Sequence, residues 1–169
     1  IELFSVEVRG PDTQKIVPIT HDLLPSELLG GAMTDVFDQL NQGHFSPTLS
    51  FFSLKHTQTQ DGTEHFELTF PPQSVNPMGL VQGGMIAAAL DDATSVTMIS
   101  GYQREFAPLS TDLHIMFHRG LQPGVARIEV KVVKLGQRSA TAEGRLFDLQ
   151  DRLIATLFHT AQPTPTASA

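Results

Sequence analysis

The chain contains no cysteine. That excludes disulfides, cysteine-ligated zinc and a thiol nucleophile, so acyl-cysteine chemistry is ruled out. It also fits a reducing, cytoplasmic setting. Basic residues are few: 11 Lys and Arg stand against 18 Asp and Glu, for a net charge of −7. A phosphate-backbone binder needs a basic stripe, so no nucleic-acid partner is expected, and an anionic small ligand would need a local basic patch. No apolar run reaches the roughly 20 residues of a membrane span, so no membrane partner is expected either. What remains, 169 residues with 40% hydrophobic and 17% charged, is the composition of one globular domain with its own core.

The periodicities place the elements. Phe4, Val6 and Val8 alternate with polar neighbours until Gly10-Pro11-Asp12 breaks the strand-like lead. Met33, Val36, Phe37 and Leu40 repeat at i, i+3, i+4 and i+7, which predicts a helix over 26–41 that Gly43 stops. Leu49 to Leu54 reads as an apolar strand. Past the Asp61-Gly62 turn, Phe66, Leu68 and Phe70 alternate as its hairpin partner until Pro71-Pro72. After the Asn76-Pro77-Met78-Gly79 loop and Gly83-Gly84, the run Met85 to Ile99 is apolar on every side, as a buried helix is, with Gly101 as its terminator. Strands follow around 112–117, 127–132, 139–148 and 152–161, the last two joined at Gln150-Asp151. Their short, regular spacing predicts an antiparallel meander. One antiparallel sheet must then wrap one central helix, an α+β fold. The expected organisation is an N-terminal extension of strand plus helix over 1–48 packed on the domain, the domain itself over 49–162, and a small polar tail over 163–169 without order.

The chemistry concentrates in Asn76 to Ser95, NPMGLVQGGMIAAALDDATS. Gly83 and Gly84 open the apolar helix. Backbone N–H groups at a helix start have no helical partner and suit a developing negative charge, such as the oxyanion of an attacked thioester. Two turns on, Asp91 and Asp92 sit in a segment too apolar for solvated charge; burial would raise a carboxylate's pKa toward the range of a general base. Neighbouring helix positions point about 100° apart, so one of the two faces the reaction. Ser95, one turn on from Asp91, is placed to hold a water against that carboxylate, and Asn76 to orient the water or the carbonyl. Taken singly, each feature has an ordinary reading: Gly-Gly a turn, an Asp pair a solvated face, Asn before Pro a turn residue. Their spacing on one apolar helix is what joins them.

This segment resembles the active-site segment of hotdog-fold acyl-CoA thioesterases of the PaaI-like, phenylacetate-degradation type, whose pattern runs Asn-x-x-Gly, two residues, His-Gly-Gly, then an acidic residue deep in the helix. Asn76, Gly79, Gly83, Gly84 and Asp91 fall in that register. The resemblance covers roughly residues 50–162. It implies a hotdog fold, with one antiparallel sheet wrapped around a long central helix, and hydrolysis of an acyl-CoA thioester with Asp91 as general base or nucleophile and the Gly83-Gly84 turn as oxyanion hole. It further implies that Ser110, in Leu109-Ser110-Thr111-Asp112-Leu113, lies near the thioester. Gly136, Arg138 and Ser139 match the strand-turn beside bound coenzyme A, with Lys134, Arg119 and Arg104 as further candidates for its phosphates. Coenzyme A enters as part of the substrate, and no separate cofactor is implied. The resemblance also implies a homodimer assembling to a homotetramer, its active site between subunits, with Gly83-Gly84 of one chain facing Asp91 of the other; a small sheet around one helix leaves edge strands that seek partners. The sequence departs from the pattern at Gln82, where the family has His. Gln cannot titrate near neutral pH, which leaves a non-catalytic acyl-CoA binder as the alternative.

The histidines give two further expectations. His44, in Gly43-His44-Phe45, resembles the His of hotdog dehydratases, which precedes a turn and central helix; with Leu49 to Leu54 read as a strand, His44 is a loop residue. His56, His65, His114, His118 and His159 fall on strand patterns and make no compact ligand pair, so no metal is expected. None of them is placed to face the acidic residue, as an enoyl-CoA hydratase or dehydratase requires.

Overall fold

Short polar side chains at helix starts shape the first elements of the computed structural model, which describes residues 35–43 and 46–166. Asp35 caps α1 (Val36–Asn41) by accepting the Phe37 N–H at 3.2 Å. Ser46 caps α2 (Pro47–Phe51) by accepting the Leu49 N–H at 3.3 Å, with Pro47 in the first turn. α1 is the end of the helix expected over 26–41, and Gly43, at φ 75°, closes it; residues 26–34, the lead strand and His44 lie outside the described residues. α2 corrects the strand expected from Leu49 to Leu54. A short apolar run does not tell strand from helix, whereas Ser-Pro ahead of it is a helix start, and Leu49 and Phe52 bury three residues apart.

The hairpin comes slightly later than expected, β1 (Lys55–Gln60) against β2 (Thr63–Phe70). Asp61 and Gly62 both take positive φ, 50° and 72°, as a tight two-residue turn between twisted strands demands. Phe66, Leu68 and Phe70 face the core. After the long helix α3 (Gly83–Gly101) come β3 (Phe106–Phe117), β4 (Gly124–Leu135), β5 (Ala140–Phe147) and β6 (Leu153–Pro165). The sheet runs β1-β2-β4-β5-β6-β3, antiparallel throughout. The expected meander thus holds for β4-β5-β6 alone; β3 crosses to the far edge and pairs with β6. The expected tail also starts too early: β6 continues through Pro163 to Pro165, and the Thr166 N–H donates to Glu105 O at 3.0 Å. Prolines are tolerated there because β5 ends opposite Ala161, so beyond it β6 has a neighbour on one side only.

α3 lies across the sheet with Ile86, Ala89, Leu90, Ala93, Val96 and Met98 buried against the inward-facing residues of the strands. It is not buried all round: Gly84 is exposed, and Ala87, Ala88, Asp91, Asp92 and Ser95 are half-buried. The helix packs closely on β5, whose inner face opens with the small residues Ala140, Ala142 and Gly144. A Cβ on Gly144 would lie 3.1 Å from both Leu90 Cδ2 and Thr94 Cγ2. Gly144→Val should therefore cost about 1–3 kcal/mol by overpacking, read as a lowered thermal midpoint; an unchanged midpoint would mean that α3 is free to move off β5.

The two edges of the sheet differ. β1 is short and polar. β3 is twelve residues long, has β6 as its one partner among the described residues, and exposes Leu109 by 57%, Met116 by 43% and Phe117 by 51%, an apolar outer edge. Among the described residues no helix is long and apolar enough to cross a membrane.

Candidate active site

The loop before α3 is built around Asn76. Its Oδ1 accepts the N–H groups of Met78 at 2.9 Å and Leu80 at 3.3 Å, and its backbone pairs with Leu80 O and the Gly79 N–H. Gly79, at φ 76°, completes the turn. Asn76 is thus a loop brace through its oxygen, and only its Nδ2 is left for a water or a carbonyl. The Gln82 N–H donates to Ser74 O at 2.8 Å, which anchors the helix start.

Gln82 is the N-cap of α3: its Oε1 accepts the Met85 N–H at 3.2 Å. The same amide folds over Gly84, where a Cβ would lie 2.8 Å from Oε1. On the other side a Cβ on Gly83 would lie 3.2 Å from Phe117 Cζ, so the glycine lets β3 approach the turn. With Met85 N–H taken by Gln82, the N–H groups of Gly83 and Gly84 are the ones at this helix start with no helical carbonyl to bond.

The two carboxylates part company as helix geometry requires. Asp91 turns toward β3 and β6. Its Oδ1 accepts the Ser110 hydroxyl at 3.0 Å and lies 3.6 Å from Nδ1 of His159, and a third of the side chain stays exposed. The register shift between Ser110 and Asp112 is a bulge that aims the serine. Asp92 turns toward α2, where the Thr48 hydroxyl faces it and its Oδ2 is buried with no hydrogen-bond partner among the described residues. Burial raises the pKa of Asp92. Desolvation first, and the neighbouring Asp91 charge second, push it up to about 6, with Thr48 partly offsetting them. Between its ordinary pKa and about 6 the folded state holds more proton than the unfolded chain, so this group costs stability as pH rises through that window. Asp92→Asn should therefore raise the thermal midpoint at pH 8 and leave it nearly unchanged at pH 4. An equal shift at both pH values would mean that burial of the charge is not the cause.

Ser95 makes no side-chain hydrogen bond among the described residues; the serine that reaches the Asp91 carboxylate is Ser110. The nearby buried hydroxyl is Thr94, which lies 2.8 Å from Leu90 O, 3.0 Å from Asp91 O and 2.7 Å from His159 Nδ1. The sequence reading missed His159. It is fully buried, on the inner face of β6 opposite Leu113 and Ala142, and it does face the acidic residue. It stands behind Asp91, however, and cannot itself meet a ligand.

The other expected binding residues lie at the far end of α3. The β4–β5 turn is closed by the Gly136 N–H donating to Ser139 O at 3.1 Å, and the hydroxyl of Tyr102, the C-cap of α3, donates to Gly136 O at 2.7 Å. Arg138 is exposed there, with the Lys134 chain packed on Gly136. Arg104, at φ 67°, keeps a buried Nη2 without a partner after the same helix end. Arg119 is elsewhere, donating to Leu153 O at 2.9 Å. Within one chain these groups are not gathered with Asp91: eleven helix residues, about 16 Å, separate Asp91 from Tyr102.

The family model of the thioesterase superfamily matches residues 78–155, a stretch that takes in Gly83, Gly84, Asp91 and Ser110. Solved structures share the fold. A phenylacetic acid degradation-related protein from Ralstonia eutropha superposes with a TM-score of 0.67 at 23% identity, over 75% of this chain and 98% of its own. A thioesterase from Haemophilus influenzae gives 0.69 at 13% identity, over 76% and 90%. A Streptococcus mutans protein solved with acetyl-CoA gives 0.60 at 17% identity, over 67% and 90%. With a six-stranded antiparallel sheet wrapped on one long helix, the chain has the hotdog fold of these structures, and the segment from α3 onward is similar to the thioesterase superfamily.

Proposed function

We propose that the chain hydrolyses acyl-CoA thioesters as a homodimer, with Asp91 of one copy and the Gly83-Gly84 turn of the other acting on one carbonyl. The observation that carries this reading is the Asp91 carboxylate: one oxygen is held by Ser110, the side chain is a third exposed, and it sits on the helix whose first turn offers uncommitted N–H groups. Asp91 Oδ2 takes a proton from a water as the water oxygen bonds to the thioester carbon. The negative charge gathering on the carbonyl oxygen meets the Gly84 N–H. Collapse of the intermediate breaks the C–S bond, and the proton passes to the departing thiolate. In the variant route the carboxylate attacks the carbon itself and water opens the resulting anhydride.

The spacing favours two copies: Gly84 and Asp91 are seven residues apart, about 10 Å along the helix axis, a long reach for one water and one carbonyl within a single chain. The apolar outer edge of β3 supports pairing with a second copy, and dimers assemble further to a tetramer. Likeness to the acetyl-CoA-bound streptococcal protein supports coenzyme A as the thiol. Gly136, Arg138 and Ser139 then meet its distant end, a role in keeping with the exposed cation at that turn.

Release of free thiol from short, long and aromatic acyl-CoA esters tests the reading. Turnover of any of them supports it. Binding of the esters with no release would make the chain a non-catalytic acyl-CoA binder. The capping role of Gln82 speaks against that outcome, since position 82 holds the helix start without titrating.

A further inference from the structure

We propose that His159 is a positioning residue that fixes which carboxylate oxygen of Asp91 meets the attacking water; this rests on the hydrolytic reading above. The arrangement follows from counting protons. The Thr94 hydroxyl has one proton, and two helix carbonyls, Leu90 O at 2.8 Å and Asp91 O at 3.0 Å, can only accept it. Were the hydroxyl to donate to His159 instead, its oxygen would face both carbonyl oxygens with no proton between. The proton therefore goes to the helix, and Thr94 Oγ1, 2.7 Å from Nδ1, accepts a proton carried by the ring.

That makes His159 an Nδ1–H imidazole. The same N–H edge faces Asp91 Oδ1 at 3.6 Å, where an unprotonated nitrogen would turn its lone pair on a carboxylate. Nε2 is then a bare acceptor, and it is indeed buried with no hydrogen-bond partner among the described residues. Burial, opposed by the weaker pull of Asp91, holds the ring's pKa below its ordinary value, so at neutral pH the ring is uncharged. Asp91 is the charged group that faces it.

The consequence concerns Asp91. The Ser110 hydroxyl and the His159 N–H dipole converge on Oδ1 from the two strands beside the helix. The carboxylate cannot turn, and Oδ2 is the oxygen left for water. A neutral donor does this without blunting the base. An imidazolium at that distance would stabilise the carboxylate too far and weaken its claim on the proton of water. The ring is also shielded from ligand by the carboxylate it orients.

The test compares His159→Leu, which removes the donor, with His159→Asn, which keeps an N–H near the Nδ1 position. In the Leu variant kcat for thiol release should fall about five- to tenfold, less than a full hydrogen bond to a charged group is worth, because the ring N–H is bonded to Thr94 and reaches Oδ1 only as a dipole at 3.6 Å, with KM little changed. The acid limb of kcat/KM should move to higher pH, because a carboxylate that loses a donor holds its proton more tightly. The Asn variant should stay within about threefold of wild type with its acid limb in place, which a mere loss of packing would not produce. Nitrogen-15 NMR of the wild-type chain should find His159 uncharged and in the Nδ1–H form at neutral pH. An Nε2–H or charged ring overturns the inference, and so does a Leu variant with unchanged kcat and acid limb while wild type turns over. Absence of turnover in wild type overturns the hydrolytic reading and this role with it.

Discussion

Asp91→Asn should lower kcat for thiol release by about 10²- to 10⁴-fold, the range that a positioned base supplies, while the thermal midpoint and the affinity for CoA esters stay near wild type. The substitution preserves shape. An asparagine Oδ1 can still accept the Ser110 hydroxyl now held at 3.0 Å. What it cannot do is take a proton or attack carbon. The exposed third of the side chain means that no buried charge is lost, so the fold has little reason to respond. Measured beside Asp92→Asn, the variant separates the two adjacent carboxylates. Asp92 faces α2, away from Ser110 and His159, and its neutralisation should act on stability above pH 6 far more than on turnover. Full activity in Asp91→Asn would remove the carboxylate from the mechanism. A single turnover of wild type in ¹⁸O-water then tests for direct attack: label found in the Asp91 carboxyl marks an anhydride opened at the enzyme, which general-base hydrolysis cannot produce.

Much of this site was legible in the chain before folding was considered, and the reasons for the misses are physical. Asp91 is picked over Asp92 by resemblance to the family's register, whereas helix geometry alone says only that the two point apart. Which carboxylate is desolvated was not legible, since that depends on where α2 packs, and α2 itself was hidden in a run whose apolar residues fit either period. Ser110 was placed near the chemistry by resemblance, whereas its actual hydrogen bond needs the bulge in β3. His159 was out of reach for a different cause. Its contact with Asp91 joins residues 68 apart in sequence, through the pairing of β6 with α3 above it and β3 beside it. Short regular strand spacing suggested that β3 would lie beside β4 instead. One signal was nonetheless present: Leu157, His159 and Ala161 share the inward parity of β6, and a lone polar group on an otherwise apolar face is a buried polar group that needs a partner.

Gly84→Pro should reduce turnover by about 10²-fold or more, and equal co-expression with Asp91→Asn should restore about a quarter of wild-type activity. Proline removes the one N–H assigned to the oxyanion. It takes no bond from the helix, because a first-turn N–H has no carbonyl four residues back. The preceding residue is Gly83, whose missing side chain eases the clash that proline makes with its neighbour. The added Cβ displaces only the Gln82 amide, 2.8 Å away at the end of a flexible side chain. Gly84→Ala makes the same steric demand and keeps the N–H, so it should retain most of the activity and thereby separate the lost donor from the disturbed cap. Restoration follows from the division of labour between copies. In a mixed dimer one site joins proline 84 to asparagine 91 and is dead, while the other joins the intact Gly84 of one chain to the intact Asp91 of the other. Random pairing makes about half of the dimers mixed, each with one working site of two. A site contained within a single chain would give no such recovery, because every copy would carry one lesion or the other. Mixed preparations no more active than the separate variants would thus dismiss the shared site even if Asp91 proves indispensable.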